Sequence, residues 1–171
     1  MPYGYNGRIV RFDLTAGKVS VEEPEEIVYR THLGGGGLAS YYLLRELEPG
    51  IDPLSADNIL IFASSVISGA PIAGMVRFTA AAKSPLTGGY GEAEAGGFWG
   101  PELKFSGFDA VIITGKSEKP CYLWIHDGKA EIRSAQGLWG LETGPAQEMI
   151  RRETGENRAR GALIGPAGEN R

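Results

Sequence analysis

Soft metal ligands are scarce in this 171-residue sequence, which has one cysteine, Cys121, and two histidines, His32 and His126. A single thiol excludes an internal disulfide framework, a CxxC redox pair and an iron–sulfur cluster held by this chain alone. The flanks of Cys121, "KPCYLWI", read as a strand, so a buried and inert thiol is expected. His32 lies in the approach to a helix and His126 in a hairpin strand. They have no ligand spacing to each other and are expected as ordinary surface or core residues. A dominant charge is also lacking. The net charge of −4 gives neither nucleic acid nor a membrane surface an electrostatic hold. The start, "MPYGYNGRIV", has no basic n-region and no apolar h-region. No run approaches the roughly 20 apolar residues of a membrane span. A cytoplasmic protein is expected.

Glycine, by contrast, is abundant. There are 26, roughly twice the usual share, with no collagen period and no low-complexity tract. The excess therefore sits in discrete loops. It is densest between Arg77 and Gly107, a stretch with seven glycines, one arginine and the pair Glu92 and Glu94. Glycine serves where φ is positive or where something comes close to the backbone. The remaining composition, 42% hydrophobic and 22% charged, is that of an ordinary globular domain with a sizeable core.

Periodicity places the elements. "GRIVRFDLTAGKVSVEE" reads as a β-hairpin turning at Thr15-Ala16-Gly17, and "LGGGGLASYYLLRELEPG" as four glycines leading into a helix from Leu38 to about Leu47. A buried strand is expected from Ile59 to about Ala63. "PCYLWIHDGKAEIRS" is a second hairpin with an Asp127-Gly128 turn. Thr143 is expected to cap a helix with Ala146, Met149 and Ile150 on its apolar face and Gly155 as its stop. "ARGALIGPAGEN" then reads as a short strand running into a Gly-Pro loop. Hairpin, glycine-bearing lead, helix, strand and Gly/Pro loop thus occur twice. This predicts an α+β, strand-rich single domain with an internal pseudo-two-fold duplication. Between the copies, "MVRFTAAAK" is strand-like, "SPLTGG" a turn, "GPELKFSG" a short helix and "FDAVIITG" a buried strand.

Gly96 and Gly97 precede a helix whose first turn holds Pro101, where free N–H groups favour an anion. "IGPAGEN" is a second place for close backbone approach. Arg77, among apolar residues on a strand, needs an anionic partner, and a phosphate suits its fork. Glu92 and Glu94 read as solvated loop residues rather than a catalytic acid–base pair. "LGGGGL" is neither a Walker loop, having no Gly-Lys-Ser/Thr, nor a dinucleotide fingerprint, having no preceding parallel strand.

"NGRIVRFDLTAGKVSVE", "LGGGGLASYYLLRELEPGIDPLS", "NILIFASS", "KSPLTGG", "AGGFWGPELKFSGFDAVIITGK", "GLWG" and "IGPAGEN" follow in an order and spacing that resemble the N-terminal domain of the tungsten-dependent aldehyde ferredoxin oxidoreductases. The resemblance covers essentially residues 1–171. It implies that two molybdopterins, holding one tungsten (in some relatives molybdenum), lie on this domain. By motif match the cofactor-binding residues would be Arg77, Glu94, Ala95, Gly96, Gly97, Ala167, Gly168 and Glu169. The main-chain carbonyls of Glu94 and Ala167 would hold a magnesium ion that bridges the two phosphates. Two positions depart from the family pattern: Glu94 stands where asparagine is frequent, and Gly36 where arginine is common. The implied activity is oxidation of aldehydes to carboxylic acids with ferredoxin as electron acceptor. No catalytic residue is expected in this chain, because the ligands of a 4Fe–4S cluster and the substrate channel belong to later domains of the family. Those domains, or a separate subunit carrying them, are the implied partners, and a homodimer is left open. The alternative is a stand-alone pterin- or phosphate-binding module, or a subunit of a split enzyme without activity of its own.

Overall fold

Apolar residues alternating at Val10 and Phe12, then at Val19 and Val21, build the expected hairpin. β1 (Ile9–Asp13) pairs antiparallel with β2 (Lys18–Glu22), with Val10 opposite Val21 and Phe12 opposite Val19. A computed structural model describes residues 2–170. The chain continues through α1 (Glu26–His32), α2 (Gly35–Glu46), β3 (Leu60–Ser64), β4 (Phe78–Lys83) and β5 (Tyr90–Ala95). α3 (Trp99–Phe105), β6 (Ala110–Thr114), the hairpin of β7 (Cys121–His126) and β8 (Lys129–Ser134), α4 (Thr143–Thr154) and α5 (Gly165–Glu169) complete it.

Six strands form one sheet in the order β2-β1-β6-β3-β4-β5, and β7 and β8 form a second sheet of two. β6 is parallel to β1 and antiparallel to β3, so the apolar run Ala110-Val111-Ile112 lies at the sheet centre with both faces covered. α1 and α2 cover one face, packing Tyr29, Leu38, Tyr42 and Leu43 on Ile9, Ile61 and Ile112. Leu103 of α3 and the inner side of the β7–β8 hairpin cover the other, against Val10, Phe12, Phe108 and Val111. α4 packs Ile150 beyond that hairpin, on Tyr122 and Trp124. The result is the expected α+β, strand-rich domain.

The duplication is not found. The two hairpins belong to different sheets, and no third strand follows α4 among the described residues. The expected strand around Ala159–Ile164 is irregular backbone. Leu163 packs toward α4 while Ile164 is exposed, and the segment has no strand partner. "GPAGE" is a short helix rather than a loop. α1 and β5 are elements that periodicity did not suggest. The last glycines of "LGGGGL" lie inside the first turn of α2 rather than ahead of it. Gly34 itself, with φ of +84°, crosses so close to Ser64 that a Cβ would meet its carbonyl oxygen. That crossing, and not a ligand, demands glycine there. In α4, Glu142 rather than Thr143 stands at the cap position, Gly155 ends the helix in the left-handed region as expected, and Met149 is exposed. Cys121 is half-buried at the start of β7 rather than buried.

Two polar networks lock the layers. Arg11 of β1 grips Glu46 of α2 bidentately at 2.9 and 2.6 Å and Glu22 of β2 at 2.6 Å, while the Tyr42 hydroxyl donates to Glu22 at 2.8 Å. The second network is fully buried. Lys104 Nζ pairs with Asp109 at 2.7 Å and donates to the Gly4 carbonyl at 2.6 Å. Asp109 accepts in addition from the backbone N–H of Asn6, Gly7 and Arg8. Tyr29, buried close to this carboxylate, makes no hydrogen bond through its hydroxyl. Burial, then the Asp109 charge, push its phenol well above the usual tyrosine range.

Asp109→Ala strands the Lys104 ammonium in the interior and is expected to cost about 3–5 kcal/mol, read as a lower urea midpoint. Tyr29→Phe removes an unpaired buried hydroxyl and is expected to stabilise by about 1 kcal/mol. Because the fold raises this phenol's pKa, its share of stability is complete below the unfolded value of about 10. It is lost as pH rises through the folded value. Denaturation midpoints measured at rising alkaline pH should therefore fall less steeply in the phenylalanine variant.

Candidate functional site

The densest glycine stretch maps to one end of the main sheet, where β3 ends, β4 begins, β5 ends and α3 starts. Tertiary hydrogen bonds fix this corner. The Ser64 hydroxyl donates to the Gly100 carbonyl at 3.0 Å, and the Ser68 hydroxyl donates to the Arg77 carbonyl at 2.9 Å. Trp99 packs on Phe78 and Phe62 with ring centroids 4.5 and 5.5 Å away. Gly100 lies so near the chain before β4 that a Cβ would stand 3.1 Å from the Val76 carbonyl oxygen and 3.2 Å from that of Arg77. The start of α3 is therefore held directly against the backbone that carries Arg77.

Arg77 stands just before β4 rather than on a strand, and its side chain is two-thirds exposed. Glu94 reaches it across the β4–β5 pair, with Nη1 to Oε2 at 3.3 Å. Glu92 and Glu94 are strand residues and not loop residues as expected. In β5 they oppose Ala81 and Thr79 of β4, so both carboxylates share one face of the edge strand. Glycine, alanine and glutamate are poor strand formers, and β4 supplies the order that β5 lacks by itself. On that face Tyr90 donates to Glu92 at 2.7 Å. Burial first, and then that carboxylate, raise the Tyr90 phenol's pKa. Glu92 also comes against the first turn of α2, where a Cβ on Gly36 would lie 2.6 Å from its Oε1. An acidic group there suits the positive end of the helix.

Past Ala95 the chain turns through Gly96 and Gly97. Gly97 has φ of +92°, and a Cβ on it would meet nothing within 4 Å. Its glycine is required by backbone conformation, and the space beside it is open. Arg77, Glu94, Ala95, Gly96 and Gly97 are thus brought together.

The second expected segment is α5. Ala167 is exposed on α5, with Gly168 and Glu169 partly buried beside it. Glu169 is already engaged, accepting from the Gly140 N–H at 2.8 Å, and Gly165 packs on Thr143. The segment leading into α5 touches the first site through Arg160, whose guanidinium lies 4.3 Å from the Phe98 ring centroid. Ser64, Ser68, Trp99 and Arg160 escaped sequence reasoning because their partners are distant in the chain. Among the described residues no three His, Cys, Asp or Glu side chains form a metal cluster. Nor is any helix among them long and apolar enough to cross a membrane.

Residues 9–171 match the family described as aldehyde ferredoxin oxidoreductase, N-terminal domain. A tungsten-containing aldehyde ferredoxin oxidoreductase of Pyrococcus furiosus is 45% identical over 170 residues, which is 98% of this chain and 28% of that protein. That of Thermococcus kodakarensis has the same identity and coverage, 45% with 98% and 28%. The WOR-like subunit of an aliphatic sulfonate oxidoreductase of Pyrococcus furiosus is 37% identical over 142 residues, 81% of this chain and 22% of that protein. Among solved structures, the active site complex BamBC of benzoyl coenzyme A reductase with 1,5-dienoyl-CoA superposes with a TM-score of 0.95 at 38% identity. That match covers 99% of this chain and 26% of the other. The chain thus spans 22–28% of the length of these curated relatives.

Backbone strain and close approach separate two of the glycines. Gly97→Ala is expected to cost about 1–2 kcal/mol from its φ alone. Gly34→Ala adds a clash with the Ser64 carbonyl and is expected to cost about 3–5 kcal/mol. Thermal or chemical denaturation of the two variants checks the order.

Proposed function

The chain belongs to the aldehyde ferredoxin oxidoreductase N-terminal domain family, and we propose that it is the surface on which a bis-molybdopterin tungsten (or molybdenum) cofactor lies in a larger oxidoreductase. The observation that carries this reading is the corner formed by Arg77, Glu94 and Gly96–Gly97. There an exposed guanidinium, met by a single carboxylate, stands beside backbone that faces open space. Such a corner fits a flat, phosphate-bearing group, since backbone can approach it closely and the arginine fork can take its phosphate.

The residues assigned to the cofactor are Arg77, Glu94, Ala95, Gly96, Gly97, Ala167, Gly168 and Glu169. A hard cation such as magnesium takes oxygen ligands and keeps phosphates among them. Main-chain carbonyls of Glu94 and Ala167 are of the right chemistry for one. Glu169 serves α5 itself, holding the Gly140 N–H. When bound, the cofactor supplies the two-electron chemistry, and the protein's part is to bind, orient and tune it. In the parent reaction an aldehyde and water give a carboxylic acid, two protons and two electrons, the electrons passing to ferredoxin. Cys121 is the single cysteine, so a 4Fe–4S cluster would take its ligands from outside this chain. A relative described as a subunit, and a structural neighbour that is a complex, support a protein working with further domains or subunits.

Elemental analysis of the chain, purified natively with whatever partners it keeps, tests the reading. Tungsten or molybdenum at about one per chain is expected. Arg77→Ala should lower cofactor retention by about tenfold, the loss of one charge-assisted contact, with an unchanged circular dichroism spectrum. Equal metal and pterin contents in wild type and variant would remove Arg77 from the site. Absence of both metals from the assembled protein would overturn the reading.

A further inference from the structure

The Arg77–Glu94 pair differs from the two ion-pair networks that lock the layers. Arg11 is gripped by two carboxylates at 2.6–2.9 Å, and Lys104 is buried with its partner. Arg77 instead meets one oxygen, at 3.3 Å, with both side chains substantially exposed (67% and 49%). No second acceptor receives its guanidinium among the described residues. Arginine has five N–H donors in a planar fork, so most of its capacity is unused. The backbone beneath it is well held by Ser68 and by the contact with Gly100. The arginine is thus anchored at its base and loosely engaged at its tip, beside the open space at Gly97.

We propose that Glu94 is a built-in competitor at this corner. Its carboxylate occupies the Arg77 guanidinium until an incoming phosphate displaces it, and in this way it sets the affinity of the site for anions. The inference rests on the cofactor reading above and concerns the Glu94 side chain, not its carbonyl. One long, solvated contact is weak and easily given up. A phosphate engages the fork bidentately and carries more charge, so it wins the exchange. The exchange leaves Glu94 near the bound phosphate, and Glu92 lies two residues along the same strand face. Each adds repulsion that the ligand must outweigh. The carboxylate therefore holds Arg77 in place when the site is empty and lowers its affinity for phosphate. A neutral side chain at position 94 would lose the first effect and relieve the second.

Isothermal titration of the 171-residue chain with inorganic pyrophosphate at low ionic strength tests this, using wild type, Glu94→Gln, Arg77→Ala and the double variant. Glu94→Gln is expected to bind about threefold to fivefold tighter, the range a surface pair can supply. The gain should shrink below about twofold in the Arg77→Ala background, because the competitor then has nothing to compete for. Glutamine binding no tighter than glutamate, while Arg77→Ala still weakens binding, would overturn the competitor and leave the cofactor reading standing. The same gain with and without Arg77 would reduce Glu94 to general charge repulsion and overturn the inference as well. Pyrophosphate that binds equally with and without Arg77, or to none of the four proteins, would overturn both. Matching thermal midpoints for wild type and Glu94→Gln, expected for an exposed pair, show that binding and not folding is being read.

Discussion

The buried Lys104–Asp109 pair is the constraint on which the rest of the domain depends. Burying two charges is costly unless every lone pair and proton finds a partner. Here the partners come from the N-terminal segment: the Gly4 carbonyl receives Lys104, and the N–H groups of Asn6, Gly7 and Arg8 converge on Asp109. Asn6 also donates through its side chain to the Lys104 carbonyl. Lys104 and Asp109 are neighbours across the turn from α3 to β6, so the network closes only when the approach to β1, 100 or more residues away, meets that turn. Its register sets β1 beside β6, which is the parallel pairing of the main sheet.

That constraint reaches the candidate site through α3. The helix is only seven residues long, so anchoring Lys104 in its last turn also orients its first. Trp99 and Gly100 then lie on Phe78 and on the backbone of Val76 and Arg77. The site corner is built from rigid groups in this way, while its outward side stays open at Gly97. The proposed cofactor surface would need both features together: a fixed floor and an open side.

At the same corner Arg77 and Glu94 offset one another, and Glu92 lies on the same face of β5. Binding an anion there must work against acidic neighbours, so geometry and bidentate chemistry have to outweigh simple charge. The protein's overall net charge of −4 points the same way.

Strong local periodicity was legible from the amino-acid order alone. Both hairpins, α2, β3, β4, β6 and the Gly155 stop of α4 appear close to where alternation, helical spacing and turn residues put them. The glycine-rich motifs and Arg77 were legible for the same reason, since their unusual composition is itself a signal. Weakly periodic or context-dependent segments were not. β5 is a strand because β4 templates it, and Ala159–Ile164 is not one because no strand lies beside it. The apparent duplication failed because similar local patterns were sent to different sheets, which is decided by long-range packing. The sequence by itself determined the fold class, the exclusion of an internal cluster or disulfide, and the candidate loops, because these follow from composition and short-range order. Only the tertiary structure decided that Arg77 and Glu94 face each other, that Lys104 and Asp109 are buried together, and that α5 is engaged with Gly140. Arg77–Glu94 and Gly140–Glu169 join residues 17 and 29 apart, and Lys104 and Asp109, though close in sequence, are buried by a segment 100 residues away, so no local signal carries any of the three.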